Sequence, residues 1–426
     1  MTVARYPVYD KYRDDIAPWL GDAPANWRFE KAKWFLSHRK QINSDAKIDN
    51  VLSLTLRGVV NNDPDNPEGL VPKDYRTYQI FEHDDLVFKL IDLENVRTSR
   101  VGLVHEQGIM SSAYIRIVPP KGWNARFLYY YYFHMYQAEV FNKIGSGVRS
   151  TLGQSDLLDL PIPLLDCEVQ DRIVRFLDEK TAKIDAAIAL EERQIALLKE
   201  RKQIVIQNAV TKGLNPNAPM KESGVDWIGE IPEHWDIVRY KYLFSQSRIP
   251  VRPGDGVVTA FRDGQVTLRS NRRLEGYTEA ILEGGYQGIR VGQLVLNSMD
   301  AFEGAIGVSD SDGKCTPEYV ICDPISPRVN QYYFALLLRE MALADYIEVI
   351  CNAVRQRAVR IRFNNLAARF VVLPPQTEQS AIVAYVDTVK SKFEDGIALK
   401  QKQISAHKEY RATLINSAVT GKIKVA

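Results

Sequence analysis

Trp19-Leu20-Gly21-Asp22-Ala23-Pro24-Ala25-Asn26-Trp27 and Trp227-Ile228-Gly229-Glu230-Ile231-Pro232-Glu233-His234-Trp235 share the pattern W-x-G-x-x-P-x-x-W. The copies lie 227 − 19 = 208 residues apart. Solenoid units run roughly 20–50 residues, so this spacing marks a duplicated domain instead. The same offset lays residues 26–40 on residues 234–248, Tyr78-Gln79 on Tyr286-Gln287 and Asp92 on Asp300. Val148-Arg149 matches Val354-Arg355 after a slip to 354 − 148 = 206, and Gln170 matches Gln379 at 379 − 170 = 209. Small slips are loop insertions within one shared framework. Two similar halves imply a ligand with two similar halves.

A chain of 426 residues exceeds one ordinary core, so at least two domains are expected. Its 55 basic and 53 acidic residues leave a net charge of +2, so any nucleic-acid surface must be local. Cys167, Cys315, Cys322 and Cys351 form no C-x-x-C pair and have no histidine at zinc spacing. Few cysteines in a chain of this length suit a reducing compartment. The early charges Arg5, Asp10, Lys11, Arg13, Asp14 and Asp15 do not suit a secretory signal, and no apolar run approaches the ~18 residues of a membrane span. The expectation is a cytoplasmic protein with no membrane association.

Each half divides into two parts. The first is mixed, with strand-like runs at residues 51–56, 85–88 and 113–118, and one helix expected at residues 125–143 with a counterpart at 331–349. The second is a long helix. Residues 168–211 contain neither proline nor glycine and are rich in strong helix formers. Ile184, Ile188, Ile195, Leu198 and Val205 mark an apolar stripe there, and Phe393, Ile397, Ile404 and Leu414 mark its twin in residues 378–420. Helices this long seldom stand alone in water, and each offers the other its only obvious partner. The reading is an α+β fold. Two globular parts (residues 1–165 and 214–376) are separated by two helices (166–213 and 377–426) that form an antiparallel coiled coil of roughly 65 Å. That arrangement carries an internal pseudo-two-fold repeat, with the globes at opposite ends of the rod.

The duplicated W-x-G-x-x-P-x-x-W, the Leu373-Pro374-Pro375-Gln376-Thr377-Glu378-Gln379 run before the second helix and the Ala209-Val210-Thr211-Lys212-Gly213 run after the first together resemble the specificity subunit of a type I restriction–modification system. The likeness spans essentially the whole chain. The first helix departs from it, beginning at Pro163-Leu164-Leu165-Asp166-Cys167-Glu168 without the Pro-Pro wording. The resemblance implies that each globe is a target-recognition domain reading one half of a bipartite double-stranded DNA target. The helices would set the spacer and dock two methyltransferase subunits and two restriction–translocase subunits. It also implies a non-catalytic chain without cofactors of its own, S-adenosylmethionine, ATP and Mg being bound by the partners.

Reading DNA needs cations for phosphates and fork-shaped side chains for base edges. In the first globe the candidates are Arg57, Lys89, Arg97, Arg100 and Arg149. In the second they are Arg262, Arg269, Arg272 and Arg273, followed by Arg355, Arg357, Arg360 and Arg362 in a stretch without an acid. Trp19, Trp27, Trp227 and Trp235 read as packing residues, because their spacing is shared where the two targets should differ. Catalytic motifs are missing. Val118-Pro119-Pro120-Lys121 lacks both ends of an aminomethyltransferase motif, and no phosphate-binding loop is present. Two rivals stay open, a self-contained methyltransferase or nuclease and a coiled-coil adaptor with no DNA role.

Overall fold

The computed structural model describes residues 6–63, 72–91, 93, 99–144, 151–272, 285–351 and 360–425. They fall into two compact units, residues 1–193 with 400–426, and residues 194–399. The division runs through both long helices rather than at their ends.

In the first unit a four-stranded antiparallel sheet has the order Ser37–His38, Ile115–Val118, Leu86–Phe88, Val101–Leu103. Leu86, Val87 and Phe88 are each fully buried, as a strand covered on both faces must be. Hairpin Leu52–Thr55/Gly58–Asn61 and pair Gln79–Phe81/Gly108–Met110 flank this sheet, and Arg28–Lys31 pairs with Pro161–Leu164. The helices are α1 (Ala125–Gln137), α2 (Val140–Ile144), α3 (Gln154–Leu158) and the long α4 (Cys167–Lys212).

The second unit repeats this plan. Its sheet runs Phe244–Ser247, Tyr319–Pro324, Leu294–Asn297, Ile306–Val308. Val258–Ala260/Val266–Leu268 is the matching hairpin, and Asp236–Arg239 pairs with Phe370–Leu373. Its helices are α5 (Gln331–Leu343), α6 (Tyr346–Cys351), α7 (Phe363–Ala367) and the long α8 (Gln376–Val419). The mixed α+β class and the internal repeat are thus both present.

The single helix expected at residues 125–143 is two. Glu139 adopts φ 55° and ends α1, and Asp345 adopts φ 56° and ends α5 at the equivalent place. The Glu139 and Asp345 amides close back on the carbonyls of Tyr136 and Ala342. Neither break carries the glycine or proline that normally announces one.

Within each unit the long helices run antiparallel. In the first, Asp185 meets Arg411 at 3.2 Å and Glu191 meets His407 at 3.7 Å, so one number rises as the other falls. In the second, Lys202 meets Glu394 at 3.6 Å while Gly213 lies beside Glu378. Ile184, Ile188, Ile404 and Leu414 are buried, whereas Ile195, Leu198, Val205, Phe393 and Ile397 are half-buried.

The duplicated tryptophan motif is a socket for a helix end. At the end of α4, Gly213 (φ +75°) presses so close to Trp235 that a Cβ would lie 3.2 Å from its ring. Just past α8, Gly421 (φ +76°) lies so near Pro24 and Trp27 that a Cβ would collide with the proline. Only glycine combines that backbone with that approach. Trp235 is fully buried and Trp27 nearly so. Trp235 donates its Nε1–H to Glu378 at 3.1 Å, and Tyr333 donates its hydroxyl to the Val210 carbonyl at 2.9 Å. The Lys424 amide donates to the Pro7 carbonyl at 2.6 Å, which ties the segment after α8 into the first unit.

Candidate nucleic-acid interface

Short hairpins hold the exposed cations. In the first unit Arg57 sits at the tip between Leu52–Thr55 and Gly58–Asn61, where the Thr55 hydroxyl accepts its backbone N–H at 3.1 Å. Its side chain is exposed. Lys89 is half-buried, and its amide donates to the Arg100 carbonyl at 3.0 Å. Arg100 is 2% exposed and donates to the Ile91 carbonyl at 3.4 Å, so it lies packed at the start of its strand.

In the second unit the turn at residues 261–265 joins strands Val258–Ala260 and Val266–Leu268. It borders a cleft of about 470 Å³ lined by Thr259, Phe261, Arg262, Arg272, Asn297 and Asp300. The Arg272 guanidinium lies 4.3 Å from the centre of the Phe261 ring and bonds Asp263 at 2.7 Å. Arg262 bridges Asp300 at 3.1 Å and also pairs with Glu303. Arg269 is half-buried and donates to the Thr259 hydroxyl at 3.2 Å. Arg360 and Arg362 both approach Glu318, at 3.8 and 3.5 Å. Arg262, Arg272, Arg360 and Arg362 therefore each face an acid. Exposed pairs of this kind contribute about 0–1 kcal/mol, so an arriving phosphate can displace them. Arg97, Arg149, Arg273, Arg355 and Arg357 lie outside the described residues.

Two groups of residues escaped the sequence reading. One is the exposed series Leu190, Leu197 and Ile204 on α4, spaced by seven, a second stripe distinct from the one that faces α8. Heptad spacing alone could have found it. The other is the pair Lys33-Trp34 with its repeat equivalent Lys241-Tyr242, present in the aligned segments but given no role there.

Residues 58–200 match the family described as Type I restriction modification DNA specificity domain. Over that stretch, about a third of its length, the chain is similar to a type I DNA specificity domain. A chain from a study of complex assembly and conformational transition of the type I R-M system is similar with a TM-score of 0.65, at 14% identity over 93% of this chain and 98% of that one. The HsdS subunit from Thermoanaerobacter tengcongensis gives a TM-score of 0.49 at 16% identity, over 94% of this chain and 98% of that chain. The S subunit from M. genitalium gives 0.36 at 11% identity, over 92% and 96%. At such identities the first likeness shows a shared fold. The specificity domain's matched stretch takes in Lys89, α1 and much of α4.

Among the described residues no group of three His, Cys, Asp or Glu could hold a metal ion. Among the same residues no helix is long and apolar enough to cross a membrane.

Proposed function

We propose that this chain is the sequence-reading subunit of a type I restriction–modification complex, with one half of a bipartite target read by each unit. The observation that carries this reading is the repeated plan. One strand order occurs twice, while the side chains on the equivalent hairpins differ, Arg57 standing alone where Arg262, Arg269 and Arg272 cluster. A shared frame with unlike tips suits two unlike half-sites. The long helices act as the spacer, and the exposed Leu190, Leu197 and Ile204 stripe suits docking of methyltransferase and restriction subunits. Those partners supply S-adenosylmethionine, ATP and Mg chemistry, this chain catalyses nothing, and the complex works in the cytoplasm. The four free cysteines support a reducing compartment.

Domain exchange tests the reading. Replacing the first globe (residues 1–165) with that of another type I specificity subunit should change one half of the methylated target in vivo and leave the other intact. Methylation mapping that shows both halves changed, or neither, ends the proposal. Adding one heptad to the middle of α4 and one to α8 should lengthen the spacer between the halves. A salt titration separates this reading from an adaptor without a DNA role, because phosphate contacts make affinity fall steeply with salt.

A further inference from the structure

This chain leaves a large aromatic bare at the same place in both units. Trp34 is 70% exposed and Tyr242 is 63% exposed. Each ends a single 3₁₀ turn, Ala32–Trp34 in the first unit and Tyr240–Tyr242 in the second. Both turns are anchored alike. The Ala32 amide donates to the Leu160 carbonyl and the Tyr240 amide to the Arg369 carbonyl, each at 2.9 Å. Ala32 and Tyr240 are themselves fully buried, so the aromatic ring is projected from a fixed base. In each unit the preceding lysine lies over the ring, Lys33 at 5.6 Å from the Trp34 centroid and Lys241 at 5.2 Å from that of Tyr242. In the second unit Arg239 also lies 5.2 Å over the half-exposed ring of Phe370.

Whatever meets these projections must look the same to both units. Base sequence does not qualify, since the two hairpin tips differ. The sugar–phosphate backbone does, because it repeats regardless of sequence and attracts lysine. Protein–protein interfaces are enriched in Trp and Tyr but depleted in Lys, so it is the lysine repeated beside each ring that favours phosphate over a protein occupant. We propose that Lys33-Trp34 and Lys241-Tyr242 grip the sugar–phosphate backbone of duplex DNA, one pair in each unit, and position it without reading it. The aromatic ring steadies the ammonium group and packs on deoxyribose. This rests on the DNA-recognition reading above.

The two grips differ in strength. Asp159 holds Lys33 at 2.7 Å and Lys31 at 3.5 Å, so a phosphate in the first unit must displace a carboxylate. The position equivalent to Asp159 in the second unit, 159 + 209 = 368, is Ala368. Lys241 therefore contributes more than Lys33, and Asp159→Asn strengthens the first grip.

The test is salt-dependent binding of the full chain to two labelled duplexes of unrelated sequence. Lys33→Gln with Lys241→Gln should lower the slope of log K against log salt by about 1 to 2, equally on both duplexes. Lys241→Arg should keep the slope. Asp159→Asn should tighten binding, and Trp34→Ala with Tyr242→Ala should weaken it without lowering the slope. An unchanged slope in the double lysine variant overturns the proposal, as does a slope lowered on one duplex only. Intact DNA binding with lost capture of a methyltransferase subunit would assign the patch to a protein instead. A wild-type chain whose binding ignores salt would sink the DNA reading itself, a separate outcome from failure of the grip. Unfolding midpoints confirm that the exposed substitutions leave the fold in place.

Discussion

Helix α1 of the first unit and α5 of the second share a length and a starting cap but fill their surroundings in opposite ways. Asn124 and Asn330 cap them with the same side-chain bond to the backbone. Then Tyr129, Tyr130, Tyr131, Tyr132 and Phe133 stand opposite Ala335, Leu336, Leu337, Leu338 and Arg339. In the first unit Tyr130 donates its hydroxyl to Asp178 of α4 at 2.6 Å, and Tyr129 stacks on Phe133 at 5.5 Å. In the second the smaller residues leave a cleft of about 380 Å³, bordered by Arg339 and by Asp387, Lys390 and Glu394 of α8. The backbone plan is a scaffold that tolerates either an aromatic or an ionic filling. The sheets repeat the lesson in reverse. Asp85 and Arg116 form an ion pair at 2.6 Å with both side chains at most 5% exposed, where the second unit has Gln293 bonded to Ser247 at 3.0 Å and Asp323 at 2.8 Å. Burial pushes the Asp85 carboxyl up, against the pull of Arg116.

The largest break in this comparison is at that ion pair. Arg116→Met leaves a carboxylate buried without its cation and should cost about 3–5 kcal/mol by denaturant unfolding of the first unit. Gln293→Leu removes hydrogen bonds to Ser247 and Asp323 without stranding a fully buried ion and should cost about 1–3 kcal/mol in the second. Equal losses would contradict the view that the two sheets are stabilised differently.

Next in size is a pair of opposed pH dependences. His134 of α1 and Glu340 of α5 occupy equivalent positions, and each is 5% exposed. Burial, aided by Lys422, pulls the His134 imidazole down to about 4. Protonation then favours unfolding, so stability falls as pH drops from about 6.5 towards 4, by up to about 3 kcal/mol. Burial pushes the Glu340 carboxyl up to about 7, although Gln203 donates to it at 2.7 Å and Arg339 and Lys390 lie near. Ionisation there opposes folding, so stability falls as pH rises from about 4.5 towards 7, again by up to about 3 kcal/mol. Glu340→Gln should flatten the neutral limb and His134→Gln the acid limb, read as hydrogen-exchange protection in each unit against pH.

Glycine replacement sharpens the comparison further. Gly421→Ala drives a methyl into the rigid Pro24 ring, while the nearest obstacle to Gly213→Ala is the movable end of Glu378 at 2.7 Å. The first should cost about 2 kcal/mol or more and the second roughly 1–2 kcal/mol, measured by thermal unfolding. The smallest effect is on DNA. Arg57→Ala should lower the salt slope of binding by about 1, and Arg262→Ala by less, since Asp300 and Glu303 already hold its charge.

Legibility followed how local each signal was. The repeat, the two long helices and their stripe were plain, because periodicity and proline placement are written in neighbouring residues. The α1–α2 break was not, since Glu139 and Asp345 are held left-handed by helix-closing bonds rather than by their own preference. The burial of Arg100 was not legible either, because an arginine between turns looks exposed until the strand beside it folds. The acids that meet Arg262, Arg360 and Arg362 lie 38 to 44 residues away in sequence, so their pairing was invisible. Lys33-Trp34 and Lys241-Tyr242 were legible in the alignment and lacked only a reason to think the rings were bare.

The socket and helix-end arrangement has a consequence for synthesis. Residues 194–399 are contiguous, so their unit can close on itself without the residues that follow it. The unit that starts at the amino end cannot. Trp27 and Pro24 wait for Gly421. The half translated first is thus the half completed last, and a released chain truncated after residue 399 should expose an unfinished amino-terminal domain to proteases while the later one is shut.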